Sequence, residues 1–138
     1  MERILPLPGA ETDQAPLILI VDDDLAVRES LAAAMEAFGF RANTAGNGFE
    51  GLQSAQAEAP AAIVTDLHMP EMDGFELLSA LRGAKSPIPV IVISGGATRG
   101  FDFLGAARRM GAAAVFEKPF PVQEMIDTIS GLTARSAA

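Results

Sequence analysis

Two uninterrupted runs of aliphatic residues constrain the fold of this chain more than any other feature. Leu17–Val21 is LILIV and residues 90–93 are VIVI, with no polar residue inside either run. A third apolar run, residues 61–64, lies between them. Apolar runs of this length that end in polar or turn-forming residues predict short buried strands. Because polar and apolar residues do not alternate, both faces of these strands are expected to be covered.

Segments with the apolar spacing of helices separate these strands. Residues 40–45 and 112–116 predict two weaker strands, which completes a series of five β–α pairs. The predicted helices span residues 25–38, 48–59, 74–81 and 101–110, and a last one begins at residue 122. Strands that alternate with helices predict an α/β fold, here a doubly wound (βα)5 three-layer sandwich around a parallel five-stranded sheet.

One domain, residues 17–134, is expected to account for most of the 138 residues. Residues 1–16 contain three prolines and a glycine without any periodicity, which predicts a flexible N-terminal arm. Residues 135–138 are expected to form a short C-terminal tail. The last predicted helix leaves no room for a second domain in this sequence, so a stand-alone domain without an output domain is expected.

The composition excludes several classes of function. A net charge of −8 argues against direct binding of nucleic acid, which needs clusters of Lys and Arg, and it suits a metal cation. The absence of cysteine excludes disulfides and thiolate chemistry and fits a reducing compartment. No apolar run reaches the ~20 residues that span a bilayer, and the N-terminus lacks the apolar region of a signal peptide. A cytoplasmic protein that does not bind membranes is expected.

Chemically active side chains follow four of the five predicted strands. In a parallel sheet with strand order 2-1-3-4-5 these strand ends share one edge, and acids after strands one and three meet in the crevice between those strands. The side chains are, in chain order, Asp22, Asp23 and Asp24, then Asp66, Ser94 and Lys118.

Asp66 is the candidate nucleophile for a phosphoryl group, and its product would be an acyl phosphate. Carboxylates ~4 Å apart repel one another by roughly 4 kcal/mol near a protein surface. A divalent cation with oxygen ligands, Mg²⁺ (or Mn²⁺), would offset this repulsion. Lys118 can bind a phosphoryl oxygen as a point charge, the Ser94 hydroxyl can donate to another, and Gly95 leaves space for the incoming group.

Four pieces of the sequence, in this order, resemble the receiver domain of two-component response regulators: LILIVDDD, IVTDLHMPEMDGFELL, VIVISGG and FEKPF. The resemblance extends over about residues 17–132 and implies the flavodoxin/CheY-like fold. It implies that Asp66 is the phosphoacceptor, that Asp23 binds Mg²⁺ directly and that Asp22 acts on the metal mainly through water. His68 occupies the place whose backbone carbonyl binds the metal.

The resemblance also implies that Ser94 and Lys118 bind the phosphoryl group and that the bond between Lys118 and Pro119 is cis. A sensor histidine kinase or a histidine phosphotransfer protein would phosphorylate Asp66 in a bacterial two-component system or phosphorelay. The modified domain would then change its binding to a downstream protein. Such a receiver catalyses its own phosphorylation and dephosphorylation without turning over an external substrate. A monomer or weak homodimer is expected.

Two features depart from the family's pattern. Receivers usually carry Tyr or Phe three residues before the lysine, at the place of Val115, and Phe116 should face the opposite side of its strand. In the family this Tyr or Phe ring reorients when the serine or threonine moves toward the phosphoryl group. The hypothesis is that a glycine-hinged loop carrying Phe101 does the switching instead. His68 and Gly96 flank the expected path of hydrolytic water. Because Gly96 offers no shielding, a phosphoryl lifetime limited by spontaneous hydrolysis is predicted.

Three other functions remain open at this point. A phosphatase similar to haloacid dehalogenases would use Asp22 as nucleophile and Asp24 as general acid, although Asp24 is also expected to cap the first helix and the chain lacks a cap region. An FMN binder would need a hydroxyl-rich loop where three aspartates stand. A degenerate receiver that only binds is opposed by the intact set of Asp66, Ser94 and Lys118.

Overall fold

The structure, a computed structural model, describes residues 15–95 and 102–137, with side chains up to residue 134 of the last helix. Within these residues five parallel strands form one sheet in the order β2-β1-β3-β4-β5. The strands are β1 (Leu17–Val21), β2 (Arg41–Ala45), β3 (Ala62–Asp66), β4 (Val90–Ser94) and β5 (Ala114–Glu117). The helices are α1 (Leu25–Ala37), α2 (Gly48–Glu58), α3 (Gly74–Gly83), α4 (Phe103–Arg109) and α5 (Val122–Ala137). The predicted fold class and strand order are confirmed.

Each face of the sheet has its own hydrophobic core. Leu19 and Val21 of β1 pack in the core that includes residues of α2, α3 and α4. Ile18 and Ile20 of the same strand pack in the core that includes residues of α1 and α5. All four side chains are at most 1% exposed, and burying an aliphatic side chain of this size stabilises the fold by about 1.5–3 kcal/mol. The sheet is therefore covered on both faces, as the aliphatic runs predict.

Two strands extend beyond their apolar runs, which stop at residues 64 and 93. Asp66, expected at the carboxyl end of its strand, is the last residue of β3, and Ser94 is the last residue of β4. Asp66 pairs in register with Ile93, and Ser94 pairs with Glu117. Polarity did not indicate this extension because pairing uses backbone groups, which polar residues also carry. Both functional side chains are consequently anchored by strand backbone and not by a loop.

Aspartates cap three helices at the edge where the strands end: Asp24 at α1, Asp73 at α3 and Asp102 at α4. Oδ1 of Asp24 accepts hydrogen bonds from the backbone N–H groups of Ala26 at 2.9 Å and Val27 at 3.3 Å, at the start of α1. Asp73 and Glu76 form a reciprocal capping box at the start of α3. Caps of this kind satisfy N–H groups that lack a partner within the helix and contribute about 1 kcal/mol. The expectation that Asp24 caps the first helix is confirmed.

The first described residues are bound to the edge of the sheet. The backbone N–H of Arg41 donates to the carbonyl of Pro16 at 2.9 Å, and its Nε donates to the carbonyl of Ala15 at 2.9 Å. The rest of the predicted arm, like Gly96 and the loop residue Phe101, lies outside the described residues. Among the helices that the structure describes, none has the length and apolar character needed to cross a membrane.

Candidate functional site

Asp22 and Asp66 lie side by side at the carboxyl edge of the sheet. β1 and β3 are neighbouring parallel strands, and Val21 pairs with Thr65 in their register. The residue after each member of this pair is an aspartate, so the sheet itself places both carboxylates at the same crevice. The backbone N–H of Asp22 donates to the carbonyl of Ala45 at 3.1 Å, which attaches this position to β2 as well.

Both carboxylates are buried with incomplete hydrogen bonding. Asp22 is 2% exposed and Asp66 is 8% exposed. The backbone N–H of Asp24 donates to Oδ1 of Asp22 at 2.9 Å, but Oδ2 of Asp22 and Oδ1 of Asp66 have no hydrogen-bond partner among the described residues. Burial raises the pKa of both carboxyls, and the nearby Lys118 ammonium opposes this shift. Unsatisfied buried oxygens are rare in proteins and are typical of a site that receives another group.

Lys118 reaches both carboxylates from the end of β5. Its Nζ lies 3.9 Å from Oδ2 of Asp22 and 3.8 Å from Oδ2 of Asp66. Its backbone N–H donates to the carbonyl of Ser94 at 2.8 Å, so the β4–β5 ladder continues to the lysine. The side chain is 33% exposed, which leaves its ammonium accessible from the solvent. Lys118 can therefore contact the acids and an anion that enters from outside.

Three carboxylates are close enough to hold one metal ion. One oxygen each from Asp22, Asp23 and Asp66 lies within 4.8 Å of the others, with Asp23 exposed and its two partners buried. A set of charged oxygen donors fits Mg²⁺ better than zinc, which favours nitrogen and sulfur. One oxygen each of Asp22 and Asp66 lacks a hydrogen-bond partner among the described residues, so both are open to a cation. The residues present therefore fit a divalent cation.

Ser94 lies on the other side of Asp66, at the end of the adjacent strand β4. It is 2% exposed, and its Oγ lies 3.4 Å from Nε2 of His68, a long hydrogen bond. The exposed His68 ring also packs edge-on against Phe103, with 5.0 Å between ring centroids and an interplanar angle of 89°. Phe103 in turn contacts Phe75 at 6.2 Å. A hydroxyl, an imidazole and two aromatic rings thus form one continuous contact path.

Sequence reasoning missed the side chain of His68. Its backbone carbonyl was predicted to bind the metal and the residue to flank the path of hydrolytic water, but no contact of its ring was predicted, whereas the structure places the ring against Ser94 and Phe103. The spacing contained a usable signal, because His68 is two residues beyond Asp66 and Ser94 ends the strand paired with β3. The contact with Phe103 had no such signal, since it depends on where α4 packs.

Two glycines shape the site by what they lack. A Cβ at Gly95 would lie 3.2 Å from Cδ of Lys118, so the missing side chain leaves space for the lysine stem, whereas the sequence suggested space for an incoming group. A Cβ at Gly74 would lie 2.6 Å from the carbonyl oxygen of Asp66 and 2.8 Å from Cα of Leu67. The start of α3 can approach the backbone of the acid only without a side chain there.

Val115 and Phe116 project to opposite faces of β5, as predicted. Val115 packs against the core that includes residues of α2, α3 and α4, and Phe116 packs against the core that includes residues of α1 and α5. The ring of Phe116 contacts Phe120 at 5.3 Å between centroids. The Lys118–Pro119 peptide bond is cis, as the resemblance implies. No aromatic ring of β5 therefore lies on the face where Phe103 packs.

The assembled side chains suit one kind of chemistry. A carboxylate lies between a lysine ammonium with neighbouring acids on one side and a serine hydroxyl on the other. Three kinds of group bind the oxygens of a phosphoryl group: an ammonium, a hydroxyl and a cation that acids hold in place. This arrangement places the Asp66 carboxylate among groups whose charges and hydrogen-bond donors complement a phosphoryl anion.

Comparison with known proteins identifies the family of this chain. The family model described as the response regulator receiver domain matches residues 18–130. The chain is 36% identical over 124 residues to a transcriptional regulatory protein PrrA of Mycobacterium leprae, which covers 90% of this chain and 52% of that protein. It is 34% identical over 119 residues to the response regulator MprA of Mycobacterium tuberculosis, covering 86% of this chain and 51% of that protein. The chain thus spans about half the length of these curated relatives.

Solved structures show the same fold. A crystal structure described as FixJ-N superposes with a TM-score of 0.79 at 35% identity, covering 88% of this chain and 95% of that one. The receiver domain of the Francisella response regulator 1452 superposes with a TM-score of 0.81 at 28% identity, covering 88% and 98%. The chain belongs to the response regulator receiver domain family. It is the receiver domain of a response regulator of two-component signalling.

Proposed function

We propose that this domain accepts a phosphoryl group on Asp66 from a sensor histidine kinase or a histidine phosphotransfer protein. One observation carries the proposal: the buried Asp66 carboxylate lies within 3.8 Å of the Lys118 ammonium and has an oxygen that lacks a hydrogen-bond partner among the described residues. A carboxylate oxygen of Asp66 attacks the phosphorus of a phosphohistidine, forming the O–P bond of an acyl phosphate. The N–P bond breaks, and its electron pair leaves with the imidazole of the donor.

The neighbours of Asp66 supply charge and orientation. Lys118, which faces both Asp22 and Asp66, would turn to an oxygen of the arriving phosphoryl group. The Ser94 hydroxyl would donate to another phosphoryl oxygen from the opposite side. Because these groups are held by strand ends, little rearrangement is needed while charge develops on the phosphoryl oxygens.

The reaction is proposed to require Mg²⁺ (or Mn²⁺). Asp22, Asp23 and Asp66 would hold the ion with their carboxylates, together with the backbone carbonyl of His68. When bound, the ion supplies positive charge that neutralises both the acids and the phosphoryl oxygens. The two buried acids whose pKa is raised by burial would then be held ionised.

We propose that phosphorylation changes binding to a downstream protein, and that the domain acts as a signalling switch. It catalyses its own phosphorylation and dephosphorylation and turns over no external substrate. The acidic charge of −8 supports a protein partner over nucleic acid or an anionic membrane surface for this domain. A cysteine-free chain suits the reducing cytoplasm, and a monomer or weak homodimer is proposed.

The proposal is tested by incubating the protein with Mg²⁺ and acetyl phosphate and measuring the intact mass. We expect a single phosphoryl adduct that hydroxylamine removes, and its loss in Asp66→Asn. Asp73→Asn is the matched control, because Asp73 caps α3 outside the pocket and asparagine is an equally good cap. An adduct that persists in Asp66→Asn but disappears in Asp22→Asn would overturn the proposal in favour of a phosphatase that uses Asp22.

A further inference from the structure

The His68 ring is held on two sides by groups of different kinds. Its Nε2 lies 3.4 Å from Oγ of Ser94, and its edge packs 5.0 Å from the centroid of Phe103 at an interplanar angle of 89°. Both contacts involve side chains from other elements, because His68 follows β3 while Ser94 ends β4 and Phe103 begins α4. Among the residues that the structure describes, the imidazole therefore contacts both the serine and the first turn of α4.

The position of Ser94 limits how its hydroxyl, which contacts His68, can move. Ser94 is almost fully buried and is the last residue of a strand whose partner β3 ends at Asp66. Its backbone is fixed by the ladder, so rotation of the side chain is the movement open to its hydroxyl. A hydroxyl that turns toward a group on Asp66 changes its geometry relative to His68, and that contact is already long.

The other end of the contact lies at a helix start. Phe103 is the first residue of α4, a helix of 7 residues, and it contacts Phe75 of α3 at 6.2 Å. Edge-to-face packing of rings depends on their relative orientation. A His68 ring released by Ser94 would therefore change its packing on Phe103. Val115 of β5 packs in the same core but carries no ring that could take this place.

We propose that His68 is a positioning residue that holds the Ser94 hydroxyl in the unmodified domain and passes its displacement to the first turn of α4 through Phe103. The inference rests on the proposed phosphorylation of Asp66 and specifies how the resulting structural change is transmitted from the site to α4. The contact between His68 and Ser94 exists only before modification, so it opposes phosphorylation. Removing the imidazole therefore favours the modified state, provided that it acts through Ser94.

A double-mutant cycle tests the first half of this inference. Phosphorylation by acetyl phosphate with Mg²⁺ is followed by intact mass for the wild type, His68→Ala, Ser94→Ala and the double variant. We expect His68→Ala to accelerate adduct formation about threefold, the size expected for loss of one modest hydrogen bond. In the Ser94→Ala background the same change should have no effect. An equal acceleration in both backgrounds would mean that His68 only limits access to the pocket, and would overturn the inference.

Amide hydrogen exchange of α4 tests the second half on the same samples. Phosphorylation of the wild type should change exchange at the N-terminal turn of α4, and His68→Ala and Phe103→Leu should abolish that change. Phe116→Leu is the matched control, because it removes a ring from the opposite face of the sheet, and it should preserve the change. An α4 response that persists in His68→Ala would overturn the inference.

The mass measurements separate the two proposals. An adduct on the wild type that depends on Asp66, combined with additive effects of His68→Ala and Ser94→Ala, would overturn the role of His68 alone. No adduct on the wild type would overturn the proposed phosphorylation and the role of His68 with it.

Discussion

The two sides of Asp66 are built in different ways. On the acidic side, formed by Asp22, Asp66 and Lys118, each residue ends a strand or directly follows one. On the hydroxyl side, formed by Ser94, His68 and Phe103, only the serine belongs to a strand. The acidic side is assembled by backbone pairing, while the hydroxyl side depends on how a loop and a short helix pack.

This difference matches the proposed division between the phosphorylation reaction and signal transmission. Backbone ladders hold the acids and the lysine in one arrangement, which favours a preorganised reaction centre. Contacts between side chains of a loop and a helix have smaller energies and can be rearranged by a small change in charge. Substitutions on the acidic side should therefore abolish the reaction, whereas those on the hydroxyl side should alter its consequences.

The largest effect is expected for Lys118→Met on the acidic side. Its ammonium lies within 3.9 Å of two buried carboxylates, and no other lysine or arginine is recorded in an ion pair with either acid among the described residues. We expect adduct formation from acetyl phosphate to slow by about 100-fold, the typical effect of removing one preorganised charge-stabilising group. Intact mass against time measures this rate. Lys85→Met, which alters an exposed lysine remote from the acids, should leave this rate unchanged. A normal rate in Lys118→Met would contradict the claim that the acidic side carries the reaction.

A smaller effect, on stability, is expected for Gly74→Ala. A Cβ there would lie 2.6 Å from the carbonyl oxygen of Asp66, which is backbone and can move only with its strand. We expect the free energy of unfolding to fall by about 2 kcal/mol, within the range for overpacking. Urea denaturation measures it. Gly83→Ala is the matched control at the other end of α3, where nothing lies within 4 Å of a Cβ, and it should be neutral or slightly stabilising. Equal effects of the two changes would show that the close approach to Asp66 is not important.

The smallest effect is expected for Asp22→Asn, measured as stability against pH without Mg²⁺. Burial raises the pKa of Asp22 above 3.8, so the folded state holds the proton more tightly than the unfolded state does. The wild type therefore loses stability as pH rises through this window, and the cost is complete above the raised pKa. At about pH 7 the free energy of unfolding of the variant should exceed that of the wild type by about 1 kcal/mol. This difference should vanish as the pH falls to the ordinary pKa of an aspartate.

The control for this prediction is Asp23→Asn, which alters an exposed carboxylate of the same cluster. Its stability should stay within about 0.5 kcal/mol of the wild type, as for most surface changes. A gain in stability for Asp23→Asn equal to that for Asp22→Asn would show that repulsion within the cluster, and not burial, determines the stability. Added Mg²⁺ should reverse the order of Asp22→Asn and the wild type, because the ion binds only the folded state.

Much of the acidic side could be predicted from the sequence. The run LILIV before Asp22 and the apolar run before Asp66 indicated two buried strands, and parallel strands end at one edge. These signals are local, since polarity and period are properties of neighbouring residues. The position of Asp66 at the carboxyl end of β3 was predicted, but its pairing with Ile93 was not, because pairing uses the backbone whatever the side chain is.

The hydroxyl side was only partly predictable. Ser94 was identified from its place after VIVI, but the histidine ring that contacts it is 26 residues away in the chain. Phe101, the aromatic residue that the sequence suggested for transmission, lies outside the described residues, so its role stays a prediction; Phe103 packs beside His68. No periodic pattern predicts that Phe103 packs on His68, because this contact depends on how α4 packs against the sheet.

The sequence by itself determined the parallel sheet covered on both faces, the edge at which its strands end, and the acids, hydroxyl and lysine gathered there. Periodicity and polarity specify these features, and pairing of the strands in register fixes their positions in three dimensions. The tertiary structure decided that Asp22 and Asp66 are buried with unsatisfied oxygens and that His68 joins Ser94 to α4. Burial and side-chain contacts depend on packing between residues distant in the chain. That packing is determined only when the helices pack against the two faces of the sheet.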